Sequence, residues 1–233
     1  MDINQINEIR QTIELAKSHE AKTGHLAGLL QQGMDQLHKA IELPEHNAVG
    51  SLVDFVVRYI EHVPDFLEAV SRLTHEAGIF DHTEAFVDIA RDYFLKPPEI
   101  VDDHSGLDAL MDEAYLAHRL MEEINDRFIG RCGIPLAPMD MTRANLIIHH
   151  LIGEPFANEL DKAVQYSVEL LMNQEQVFEK SAFQDYVAEH KARGWSEELQ
   201  RWPCLASDLE INLKFEGTVK TALQDLSTPD TMH

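Results

Sequence analysis

The residues best suited to chemistry lie between Leu107 and Leu151. One stripe reads Met111, Ala114, His118, Met121, Asn125 and Phe128. Its three-four spacing puts an imidazole and a carboxamide on a face that should meet the core. Glu122 stands one turn beyond His118. In the next helix Arg143, Leu146, Ile147 and His150 share a face, with Asn145 and His149 close by and Glu154 following.

Three chemistries compete for this constellation. In the first, His118 and Asn125 donate and accept within a buried network that fixes helix register. The second is a metal site. His118 with Glu122, and His150 with Glu154, are i,i+4 pairs whose members can reach one ion, and His149 adds a fifth donor. Such a set suits iron, manganese or zinc. The Glu-x-x-His pairs of dinuclear carboxylate bundles and the HExxH zinc spacing are both missing. In the third, Arg143, Asn145 and Asn125 bind a small anion, because a guanidinium recognises carboxylate or phosphate in bidentate fashion.

A second cluster, Tyr59, Glu61, His62, Asp65 and Glu68, surrounds Pro64. A helix dipole explains the acids in a first turn; it does not explain His62. Nucleophilic chemistry has no GxSxG to stand on, and phosphate binding no glycine-rich loop. Thirteen histidines are spread along the chain. His19, His25, His38, His46, His75, His82, His104 and His190 fall on polar faces or near helix ends and read as solvated.

The elements that must position these groups are helical almost throughout. From Ile3 to Leu43 the apolar residues keep one spacing, which Pro44 stops. A single helix of that length would span about 60 Å, so residues 1–45 either break, at Gly24 or Gly33, or protrude as an arm that packs on a partner. A second stripe starts near Ser51, and Pro64 predicts a kink or a new start. Asp81 with Glu84 has capping-box spacing ahead of Phe86. Residues 97–105 form the longest loop. Helices follow from Ser105 or Asp108 to about Ile129, from Met141 to Ile152 behind Asp140, from Pro155 to about Glu179, and from Ser181 to Arg193. Residues 207–226 read as helix, with a capping box at Ser207 and Glu210. Leu209 to Phe215 taken alone alternates like a strand, but no other strand offers itself as a partner. The expectation is an all-α fold: a single-domain antiparallel bundle of about seven to nine helices with a long N-terminal helix and a loose tail at 228–233.

Composition narrows the function classes. Nineteen Lys and Arg stand against 41 Asp and Glu, for a net charge of −22. That charge argues against nucleic acid and against an anionic membrane surface. The polar start, Met1-Asp2-Ile3-Asn4-Gln5, lacks the apolar stretch of a secretory signal. Cys132 and Cys204 are two separated thiols, which suits a reducing cytoplasm.

No family motif runs through the chain. Lys17-Ser18-His19-Glu20 resembles the proximal-histidine segment of heme-oxygenase-like proteins, but the glycine-rich distal helix of that family is not in this sequence. Redox-enzyme assembly chaperones are similar in size, acidity and helix content, without a sustained motif. The reading that follows is a cytoplasmic bundle acting by binding a protein partner or by self-association through its N-terminal helix. The alternative is a metal-binding or anion-binding enzyme centred between the 107–129 and 141–152 helices.

Overall fold

The computed structural model describes residues 3–99, 101, 106–137, 139–172, 181–193 and 211–214. It is an all-α bundle. The eight described α-helices are α1 (Ile3–Thr23), α2 (His25–Gly33), α3 (Ala48–Glu76), α4 (Phe80–Leu95), α5 (Leu107–Cys132), α6 (Thr142–Ile152), α7 (Glu154–Met172) and α8 (Ser181–Arg193). None of the described helices is long and apolar enough to cross a membrane.

Helix α5 is the axis. It packs against α1, α3, α4, α6 and α7. Its stripe of Met111, Ala114, His118, Met121, Asn125 and Phe128 is buried along its whole length. The core runs from Ile6 and Ile9 on α1 through Phe55 and Phe66 on α3 to Phe183 and Tyr186 on α8.

The N-terminal segment takes the break rather than the protruding arm. Gly24 is left-handed (φ 61°), a conformation that glycine adopts without a Cβ penalty. Glu20 then turns its carboxylate onto the start of α2, accepting from Leu26 N–H at 2.9 Å and Ala27 N–H at 3.1 Å. This satisfies donors that a new helix would otherwise leave bare. Ile6, Ile9, Ile13, Leu26 and Leu30 are all buried. Arg10 pairs with Asp65 and Glu68, and Lys17 with Glu61. Residues 3–33 therefore lie on the bundle, so the excess length that suggested an external partner is gone.

Three further expectations are corrected. Of the kink or new start expected at Pro64, the new start is absent: α3 spans 29 residues with Pro64 inside it. The proline removes one ladder bond, but the apolar stripes on both sides of it are buried against α1, α4 and α5, and this packing outweighs the local penalty. Residues 211–214 are not helical. Asn212–Leu213 (β2) pairs antiparallel with Ile41–Glu42 (β1), so the missing strand partner lay just after α2. The rest of 207–226 and the tail at 228–233 fall outside the described residues, as do Ser105, residues 173–179 and Cys204. Finally, α4 starts at Phe80 with no side-chain cap, so Asp81 does not cap it. Asp140 does accept from Thr142 N–H, at 3.3 Å, at the start of α6.

Candidate functional site

The sequence constellation separates into three places. The first is a buried histidine pair. Pro64 leaves the carbonyl of Ile60, four residues earlier, without its helical donor. At the neighbouring carbonyl, His118 Nε2–H donates to Tyr59 O at 2.9 Å across the α3–α5 interface. The His118 ring packs between Tyr59 and Phe66, with centroids at 4.4 and 5.0 Å, and lies 5.3 Å from the ring of His62. Burial pushes the pKa of His62 down to about 4, against a smaller opposing pull from Asp65. Burial also holds His118 well below 6.5; His62 adds to that effect and the Tyr59 carbonyl opposes it. Both rings are neutral at pH 7. The His118 Nδ1 has no hydrogen-bond partner among the described residues. His62, which the sequence left unexplained, is thus one wall of a packed aromatic box, while its neighbours Glu61, Asp65 and Glu68 face outward to α1.

The second place is a polar network between α3, α5, α6 and α7. Tyr59 O–H donates to Asn145 Oδ1 at 2.7 Å, and Asn145 Nδ2 donates to Glu122 Oε2 at 2.7 Å. Glu122 also takes an Arg119 N–H, and Arg119 reaches Glu123 and Asp161 at 3.0 Å each. Tyr115 O–H donates to the same Asp161 oxygen at 3.0 Å. His149 Nε2 stands 3.7 Å from the other Asp161 oxygen and 3.4 Å from Asn158 Oδ1. Burial works against the Arg119 charge, but Glu122 and Asp161 more than offset it, so its pKa is raised. Tyr115 is raised by burial and then by Asp161. The network is closed on itself: one guanidinium serves three carboxylates, and the amide of Asn145 is used at both ends.

These positions do not assemble the metal set. His118 points to α3 while Glu122, on the same helix, points to Asn145 of α6. His149 and His150 are successive residues, about 100° apart around a helix, and they diverge to Asp161 and to His38. Among the described residues no three His, Cys, Asp or Glu side chains form a metal-binding group. The anion set does not assemble either. The buried face of α6 is Ala144, Asn145, Ile147 and Ile148, so Arg143 and Leu146 lie outside. On α5 the inward arginine is Arg119. Its signal was in the sequence: acids three and four residues on, at Glu122 and Glu123, from a position beside the buried stripe. Asn125 clamps a loop, donating to Ala137 O at 3.0 Å and accepting from Ala137 N–H at 3.1 Å. His190, expected in solvent, is buried against Tyr186 and bonded to its carbonyl.

The third place is a cleft of about 390 Å³ where α2 and the turn after it face the start of α5 and the α6–α7 corner. His150 and Glu154 come here. Leu30, Leu52 and Met111 form its floor, and Leu29, Leu37 and Ile152 are among its walls. His38 N–H donates to His150 Nε2 at 2.6 Å, and His38 Nδ1 accepts from Ala40 N–H at 3.1 Å. Asp108 and Glu154, each in the first turn of its helix, complete the rim. A second cleft of about 380 Å³ lies between α1, the end of α4 and the start of α5.

Fold and site together define an all-α bundle with a closed polar core and an open apolar cleft. Comparison with family models, with characterised proteins and with solved structures finds no match to this chain.

Proposed function

We propose that this protein binds a small, largely apolar ligand in the cleft between α2, α5 and the α6–α7 corner, and acts by binding rather than by catalysis. One observation carries the reading. The cleft has the volume of a small-ligand site, typically about 300–1,000 Å³, with an apolar floor and a few polar groups at its rim. By contrast, Glu122 and Asn145, which suggested a metal or anion site, are engaged with each other and with Arg119 and Tyr59. Of the 1–45 segment that suggested a protein partner, residues 3–33 are folded onto the bundle, and Leu15 and Leu29 are the large hydrophobics they expose among the described residues.

The test is a fluorescence titration with 1-aminoanthracene, a neutral apolar dye. Saturable one-to-one binding is expected. Gly33→Phe should abolish it without loss of thermal stability: Gly33 lines the cleft, and a Cβ there meets nothing within 4 Å. Unsaturable binding, or binding unchanged in Gly33→Phe, overturns the reading.

A further inference from the structure

The charge of the cleft rim narrows the ligand class. Nine of its sixteen lining residues are Leu, Ile or Met, and none is Lys or Arg. At the rim His150 Nε2 accepts from His38 N–H and His38 Nδ1 accepts from Ala40 N–H, so one ring nitrogen of each histidine is engaged by backbone. The acidic groups among the lining residues are the carboxylates of Asp108 and Glu154. Outside the lining, His25 approaches Asp108 at 3.6 Å from an exposed position. The chain as a whole carries −22, and a field of that sign concentrates cations in a cleft with low-dielectric walls.

We infer that the ligand is a cationic amphiphile: one protonated amine on an apolar chain or ring, its apolar body against Leu30, Leu52 and Met111 and its ammonium at Asp108 and Glu154. This inference rests on the cleft being the binding site. An anionic amphiphile such as a fatty acid would set its carboxylate against two others. A neutral one would fill the floor and leave the rim acids unused.

Calorimetric titration with octylammonium, octanol and octanoate separates the possibilities. Octylammonium is expected to bind best, about threefold or more tighter than octanol at low salt, with the advantage shrinking as salt rises. Octanoate should bind worst. Affinity should rise about fourfold per added methylene along the alkylammonium series. The Asp108→Asn, Glu154→Gln double variant should bind octylammonium and octanol alike while keeping its octanol affinity. If all three ligands fail to bind, the cleft is not a ligand site and both readings fall. If octanol or octanoate binds as well as octylammonium, the cleft stands and the cationic class is wrong. A preference for octylammonium that survives the double variant traces it to the overall charge of the chain and overturns the role of Asp108 and Glu154.

Discussion

His118 donates from Nε2 to the backbone carbonyl of Tyr59 at 2.9 Å, five residues before the proline inside α3. The bond ties the axis of the bundle to α3, whose hydrogen-bond ladder Pro64 interrupts. It gives His118 a structural role, as the sequence pattern allowed, and makes His118 part of the same box as His62.

Replacing the ring tests that role. His118→Phe keeps most of the packing and removes the bond, so it should cost about 1 kcal/mol. His118→Ala also leaves a cavity beneath Tyr59 and Phe66 and should cost about 3 kcal/mol or more. Urea denaturation measures both. Equal losses would show that the hydrogen bond, not the packing, dominates.

Stability should fall in acid through His62. In the unfolded chain its imidazole titrates near 6.5, and in the fold at about 4. Between those values the unfolded state holds the proton and the native state does not, so stability drops as pH falls through that window and levels off below it. The size is about 3 kcal/mol. His118, pushed down by the same burial, acts in the same direction. His62→Leu should flatten the dependence by up to one proton between pH 6.5 and 4. An unchanged slope would mean that His62 is not held neutral.

Arg119 and Arg143 should behave as opposites. Arg119→Ala leaves Glu122, Glu123 and Asp161 without their shared cation at a half-buried site and should cost about 3 kcal/mol. Arg119→Lys should recover only part, because a point charge cannot reach three carboxylates in fork geometry. Arg143→Ala, on the outer face of α6, should stay within about 0.5 kcal/mol. Thermal or urea unfolding of the three variants checks the contrast.

Residues 3–33 should be required for folding rather than for assembly. Ile9 is fully buried, so Ile9→Ala should cost about 2–4 kcal/mol. Deleting residues 1–33 uncovers the α1-facing and α2-facing sides of α3 and should abolish the cooperative transition. Light scattering with circular dichroism separates this from the simple loss of an interface, which would leave a folded species of smaller mass.

The sequence by itself determined the fold class and most helix positions, because apolar periodicity reports which face a helix buries wherever that face is wide and continuous. His118 and Asn125 were legible as inward for this reason. It also contained the ingredients of the closed polar network, but as separate short-range signals on α3, α5, α6 and α7.

Tertiary structure decided which of those residues meet. On α6 the buried face is one position away from the stripe inferred, because the helix is short and apolar on more than one side, so Arg143 is outside and Asn145 inside. Packing carried α3 through Pro64, against the local preference of proline. The pairing of Ile41–Glu42 with Asn212–Leu213 joins segments 170 residues apart, a separation that no local pattern encodes. The cleft likewise exists only in three dimensions. His38, Asp108 and the His150–Glu154 corner come from three separate stretches of chain, and the fold at Gly24 lays α2 across them.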